Sequence, residues 1–304
     1  MKKIILSAIT IICCYNQHSF AQDTASPEKY TAHNKGKFYV FWGGNRESFS
    51  KSDIHFQGED YDFTLKNVAA NDKPKGWHVD YVNPARMTIP QTNLRFGYFI
   101  TDHYNISIGV DHMKYVMAQN QTVDYSGYYP NSGSYGEILP NDQLLLTEDF
   151  LTFEHTDGLN YINTEFSRVD DISNWFKLPN TDKFQINITE GIGAGILYPK
   201  TNAKLLGKER HDDFHISGYG VSAKVGLNFT FFKHFFLQTE LKGGYIDMPN
   251  IRTTNNTADK ASQHFYFLQR IIAFGGGFMS VGLILIGAIF GTFLYGVLKD
   301  KLPH

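Results

Sequence analysis

The sequence predicts an all-β fold: a closed antiparallel up-and-down β-barrel of eight strands that crosses a membrane. Three observations predict it. Runs of ten or more residues alternate apolar and polar with period two, which sorts side chains only along a strand. Aromatic residues gather at the ends of those runs, and short connections alternate with long ones, as in a barrel that meets two interfaces.

The N-terminus comes first. Lys2 and Lys3 precede an apolar run from Ile4 to Cys14, and Ser19-Phe20-Ala21 closes a polar stretch. This three-part layout predicts a secretory signal peptide over 1–21. The apolar run is too short for a helix that must cross a hydrocarbon core of about 30 Å. Cys13 and Cys14 both fall inside it, preceded by Ile12 and Cys13 rather than by a small residue, which disfavours lipidation and leaves a mature chain without thiols. A polar leader, expected in the periplasm, follows over 22–36.

Strand one is expected over 37–47 and strand two over 91–101, joined by a long excursion through Trp77 and Pro84. A short turn at Asp102-His103 leads to strand three, 104–116, where Ile106, Ile108 and Val110 oppose Ser107, Gly109 and Asp111. The stretch 120–143, rich in Tyr, Gly, Ser, Asn and Pro, reads as a surface loop. Strand four is expected over 149–168. It contains Asp157-Gly158, and if that pair is a hairpin turn the count becomes ten. Strand five is expected over 184–198.

Strand six, 215–231, alternates most clearly: Tyr219, Val221, Ala223, Val225, Leu227, Phe229 and Phe231 share one face, with Ser222, Lys224 and Asn228 on the other. A tight turn at Phe232-Lys233-His234 leads to strand seven, 235–246, with Leu237, Leu241 and Tyr245 opposite Gln238, Glu240 and Lys242. Strand eight is expected over 263–274. An even count returns both barrel ends to one side and sends the long loops to the other. A soluble β-sandwich would use strands of only about five or six residues.

Balanced charge, 28 basic against 30 acidic residues, and the lack of a basic stripe exclude a nucleic-acid footprint. With 15% aromatic residues, 27 glycines and a mean hydropathy slightly on the polar side, the chain suits a barrel that shows apolar residues to lipid only at alternate positions.

The stretches Phe38-Tyr39-Val40-Phe41-Trp42-Gly43-Gly44-Asn45-Arg46, Gly191-Ile192-Gly193-Ala194-Gly195 and Leu241-Lys242-Gly243-Gly244-Tyr245 resemble those of small bacterial outer-membrane β-barrel proteins. This is the OmpA/OmpX-like class, which also holds barrel-shaped lipid A-modifying enzymes; the likeness extends to uncharacterised barrels of Bacteroides-type bacteria. It covers 37–278 and carries no catalytic motif. It implies a Gram-negative outer membrane reached by export, surrounding lipid and lipopolysaccharide, and an assembly machinery that reads a terminal aromatic residue such as Phe278. The chain departs from the class by continuing through an apolar segment, 279–298, and Lys299-Asp300-Lys301 to 304. That tail reads as an appended transmembrane helix, an irregular terminus, or a prolonged last strand.

An eight-stranded barrel has an interior just wide enough for side chains, and its expected inward charges are Arg95, Asp111, Glu165, Lys224, Glu240 and Lys242. Buried charges need partners, so these read as an internal salt-bridge network, with a gated ion path as the sharper alternative. Glu190 and Arg270 are not assigned a side. Asp111-His112 and Glu154-His155-Thr156-Asp157 approach the long-loop rim, where His112, His155 and Asp157 are the candidates for a hydrolytic or acyl-transfer site. His211, Asp213 and His215, in a run of two His and two Asp, are the metal-ligand candidates. Ser50, Lys51, Asp53, His55 and Asp60 read as solvated loop.

No cofactor is expected. The functional expectation is a structural or surface-interaction barrel rather than an enzyme. A lipid A-modifying enzyme and a small-solute pore are the alternatives, and the sequence leaves the oligomeric state open.

Overall fold

The computed structural model describes residues 33–74, 91–130, 135, 137–178, 181–208, 210–211 and 213–279. The expected signal peptide, most of the leader, Trp77, Pro84 and all of the tail beyond Met279 lie outside the described residues.

The described residues form strands β1 (Phe38–Phe49), β2 (Ser52–Gln57), β3 (Asp62–Val68), β4 (Ala70–Asn71), β5 (Thr92–Phe99), β6 (Tyr104–Met117), β7 (Thr122–Tyr128), β8 (Glu137–Leu139), β9 (Gln143–Leu145), β10 (Leu151–Asp171), β11 (Phe184–Leu197), β12 (Asn202–Leu205), β13 (Gly218–Phe231), β14 (Phe235–Arg252) and β15 (Lys260–Phe278). Eight of them pair antiparallel in the order β1-β5-β6-β10-β11-β13-β14-β15, and β15 pairs back onto β1 from Phe38↔Phe278 to Phe49↔Phe267. The ring is closed, so the barrel wall has no free edge.

The registers also set its tilt. A row of paired residues starting at Phe38 passes through Tyr98, Ile106, Phe166, Ile192, Ala223, Gly243 and Leu268, and returns to β1 at Ser48, a stagger of ten residues. For eight strands this corresponds to a tilt of about 40°. On β13 the outward positions from Tyr219 to Phe231 then cover about 30 Å of height at about 3.3 Å per residue.

The surface of the wall is inverted relative to a soluble protein. Ile192 and Ile272 are 66% and 61% exposed, and Ile108, Val221, Val225, Leu227, Leu241 and Phe274 are exposed with them, whereas Lys242 is 1% exposed. Aromatic residues ring both margins of this apolar belt. At the short-turn end Phe38 packs on Tyr98 (4.7 Å), Tyr104 stacks on Phe166 (5.5 Å) and Phe184 meets Phe231 (5.2 Å). At the long-loop end Tyr245 meets Tyr266 (5.2 Å) and Tyr198 stacks on Phe214 (5.3 Å).

The count is eight because Asp157-Gly158 is not a hairpin. β10 runs unbroken for 21 residues, and the pair sits in a bulge where the β6 register jumps between His155 and Leu159. Gly158 takes φ 138° there, a backbone that disfavours any side chain.

The long connections depart most from the sequence expectation. In the segment 120–143, expected as surface loop, the described residues form β7, β8 and the start of β9. These extend a sheet β15-β2-β3-β7-β9-β8 away from the ring, while β12 pairs with the start of β10. β14 and β15 are each longer than expected, so the loop between them shrinks to the residues between Arg252 and Lys260. An apolar core forms at this end from Ile54, Phe56, Phe63, Leu65, Tyr115, Phe150, Phe153 and Phe265 among others. It has a physical reason: alternate apolar residues at Ile54/Phe56 and Phe63/Leu65 cannot face lipid so far above the belt, so they bury one another in a cap.

Candidate functional site

The interior of the ring holds the groups whose placement is costliest. Arg95 on β5, Asp111 on β6, Glu165 on β10, Lys224 on β13, and Glu240 and Lys242 on β14 all point inward and are buried. Glu165 is the hub: its carboxylate lies 2.9 Å from Arg95 and 2.7 Å from each of Lys224 and Lys242. Asp111 pairs with Lys242 at 2.7 Å and with Arg95 at 3.5 Å, and Glu240 with Lys224 at 2.7 Å. Lys224 and Lys242 are direct partners across the β13–β14 ladder. Like charges so placed repel, and Glu165 sits where both ammonium groups reach it.

Amides complete the layer. Arg95 donates to Asn163 Oδ1 (2.8 Å), while Asn163 Nδ2 and Asn93 Nδ2 donate to Asp111 (3.0 and 2.6 Å). Every one of the six charges thus meets an opposite charge, as buried ions must.

Above and below, the lumen is filled. Toward the short turns Phe41, Ile271 and Ala273 form a small core with Tyr39 and Phe236, and Tyr39 donates to Asn105 Oδ1 at 2.8 Å. The Tyr39 ring lies over Gly97, where a Cβ would collide with it. Toward the long loops Gln269 donates to Glu47 at 3.0 Å, and Gln91 bridges Glu47 and Asp72. The cap core closes this end.

The rim histidines are not brought together. His112 keeps the parity of Ile106, Ile108 and Val110 but is buried, its Nδ1 lying 2.7 Å from Asn160 Oδ1. His155 lies in the cap, against Tyr115 and Phe153. Its Nε2 accepts from Gln263 Nε2 (3.2 Å) and its Nδ1 donates to Thr201 Oγ1 (3.0 Å). With both nitrogens used this way the imidazole is a neutral structural crosslink rather than a base aimed at a nucleophile. Burial pushes its pKa down to about 3. Asp157 is exposed within the bulge.

His211, Asp213 and His215 also serve local structure. His211 pairs through its backbone with Ala203 and touches Asn255 at 3.3 Å. Asp213 accepts from the Phe214 N–H (2.8 Å), and His215 accepts from Asn250 (3.0 Å). Among the described residues no group of three or more His, Cys, Asp or Glu is arranged to hold a metal ion. In the first loop Asp53 pairs with Lys66 and His55 with Asp62, so these side chains fasten the β2–β3 hairpin. Glu190 and Arg270, unassigned from sequence, are both exposed on the outer wall.

Sequence reasoning did not find the cap core, the Tyr39–Phe41–Phe236 plug or the Glu47–Gln91–Asp72 group. The alternation at 54–56 and 63–65 was the one local signal for the first of these.

No family model and no curated protein matches the sequence. Among solved structures the chain is similar to the outer membrane protein OprG of Pseudomonas aeruginosa, at 11% identity and a TM-score of 0.34, covering 82% of this chain and 99% of that one. It is similar to Ail, the attachment invasion locus protein of Yersinia pestis, at 10% identity and 0.30, covering 80% and 99%. It is also similar to the outer membrane protease OmpT of Escherichia coli, at 8% identity and 0.25, covering 82% and 99%. These structure neighbours are outer-membrane β-barrel proteins, and the likeness is one of fold.

Proposed function

We propose that the chain is an outer-membrane barrel with a structural or surface-interaction role, in which residues 37–278 span the membrane and display a folded cap toward the exterior. In this reading 1–21 is a signal peptide removed on export, and 22–36 is a leader on the periplasmic side. Lipid and lipopolysaccharide surround the belt, and the assembly machinery reads the end of β15.

The observation that carries the proposal is the filling of the interior in three tiers: an aromatic plug, a neutralised charge layer, and a cap with its own apolar core. A pore needs a continuous polar path, and the plug and cap interrupt one. A hydrolytic site needs a base free to take a proton, and His155 is committed on both nitrogens. What remains for the molecule to offer is its outer surface, and the cap is the part a partner meets.

The test is to replace the cap segments 50–74 and 118–149 with short turns. Barrel folding is followed by heat-modifiable gel mobility, and binding to host or envelope surfaces by retention of labelled cells. The proposal expects a folded barrel with the binding phenotype lost. Stepwise single-channel currents from the intact protein, or altered lipid A mass spectra in cells that carry it, would replace this reading with a pore or an enzyme.

A further inference from the structure

The lumen holds two groups of acids, and only the lower one is balanced. There Asp111, Glu165 and Glu240 face Arg95, Lys224 and Lys242. The upper group consists of Glu47 on β1 and Asp72, which directly follows β4. A single nitrogen, Gln91 Nε2, touches both carboxylates, at Glu47 Oε2 and Asp72 Oδ1, and the Glu47 N–H donates to Asp72 Oδ2 at 3.1 Å. Among the described residues neither acid is paired with a Lys, Arg or His.

Amide donors do not neutralise such a pair. Glu47 is 4% exposed, and two carboxylates this close in a buried place require a counter-charge. The amides around them point to its kind. Gln91 is fully buried, yet its Oε1 has no hydrogen-bond partner, and neither has Oδ1 of Asn45, the inward residue before Glu47 on β1. The Asn45 N–H meets the Gln91 carbonyl oxygen, so the two residues are neighbours across the seam between β1 and β5. An amide keeps its shape when its oxygen and nitrogen exchange places. Turned that way, Gln91 presents Oε1 where Nε2 touches both carboxylates, and a cation there makes a ligand of an orphan acceptor.

We propose that Glu47, Asp72 and Gln91, with Asn45 beside them, bind one divalent cation of the calcium class. Carboxylate and amide oxygens suit hard cations, and calcium accepts the irregular geometry of side chains from different strands, which magnesium does not. Two acids and two amides make the set, which is why no cluster of three metal-ligating acids, histidines or cysteines marks it among the described residues. Asp72 is half-buried, and Asn71 and Lys73 beside it are exposed, which gives the ion a way in from the long-loop side. Bound there, it fastens the end of the first cap segment to the barrel wall at β1 and at the head of β5. The inference goes beyond the surface role proposed above and holds whatever partner the cap meets.

The experiment uses the full chain in detergent, stripped with EDTA and dialysed, and titrates it calorimetrically with calcium chloride. Wild type is compared with Asp72→Asn, chosen because its half-exposed position spares the fold, with Glu47→Gln, and with Asp53→Asn as a cap acid outside the site. One calcium ion should bind wild type and Asp53→Asn with a dissociation constant of about 0.1–1 mM, the range of extracellular calcium modules. Binding to Asp72→Asn and Glu47→Gln should be weaker by at least about tenfold. Calcium should slow proteolysis of segment 50–74 in wild type and Asp53→Asn but not in Asp72→Asn. A wild-type chain that binds no calcium up to about 10 mM, ten times the weak end of that range, overturns the site; greater heat resistance of Asp72→Asn in that case assigns the two carboxylates a shared proton instead. Equal binding by wild type and Asp72→Asn also overturns it, because the ion is then an adventitious ion only.

Discussion

Glu165 Oε1 and Lys242 Nζ lie 2.7 Å apart across the interior, although their strands, β10 and β14, are separated in the ring by β11 and β13. Side chains of ordinary length therefore bridge the lumen, and the charge layer is a set of struts between walls. Its stability depends on each strut keeping its counter-charge.

Replacing the hub tests this dependence. Glu165→Gln leaves Arg95, Lys224 and Lys242 sharing only Asp111 and Glu240. Breaking a buried ion pair on one side costs about 3–5 kcal/mol. Urea unfolding in detergent micelles should show a loss of that order, and Glu165→Gln combined with Lys224→Met should recover part of it. A loss under about 1 kcal/mol would indicate that water already screens the layer, as at an exposed pair.

The bulge at Gly158 is equally specific. Its φ of 138° and the approach of Asn160 and His112 leave no room for a Cβ. Gly158→Ala should destabilise the barrel by about 1–3 kcal/mol, measured by the same unfolding titration. Unchanged stability would mean that the backbone there relaxes freely.

His155 gives the cap a pH dependence. Its folded pKa of about 3 lies below the ordinary value of 6.5 because burial disfavours the imidazolium. The unfolded chain therefore binds the extra proton between those two values. Stability is complete above pH 6.5 and falls as the pH drops toward 3, at about 1.4 kcal/mol per unit for this one group. Proteolysis of the cap at graded pH should report the fall, and His155→Gln should flatten it. A wild-type profile no steeper than the variant's would remove His155 as the cause.

Tyr39 and Gly97 define the plug. Gly97→Val places a side chain where the Tyr39 ring sits, displacing the ring and its hydrogen bond to Asn105. Overpacking of this kind costs about 1–3 kcal/mol. The refolding yield and unfolding midpoint of Gly97→Val should both drop, whereas Gly276→Ala, whose Cβ would meet only the His234 carbonyl oxygen at ordinary contact distance, should not change them.

The barrel was readable because its strands are long and each keeps one phase. Val221, Val225 and Leu227 against Ser222, Lys224 and Asn228 is a pattern that local sequence states in full. The same parity puts Arg95, Asp111, Glu165, Lys224, Glu240 and Lys242 on the inner side, but which carboxylate meets which cation depends on the stagger of ten residues around the ring, and no local pattern holds that. The cap was hidden for another reason. β8 and β9 are three residues each and pair through contacts set by chain closure, and a loop rich in Tyr, Gly and Asn shows no period. His155 looked like a rim residue because its depth follows from the bulge at Gly158 and from the cap folded over it.

The account turns on the wall facing lipid with one set of side chains and a filled interior with the other. Spin labels placed one at a time from 219 to 230 on β13, in lipid vesicles, measure this directly through collision rates with oxygen, which partitions into lipid. The predicted result is a period-two profile with maxima at Val221, Ala223, Val225 and Leu227 and minima at Ser222, Lys224 and Asn228. A profile of the opposite phase, or one without alternation, would contradict it.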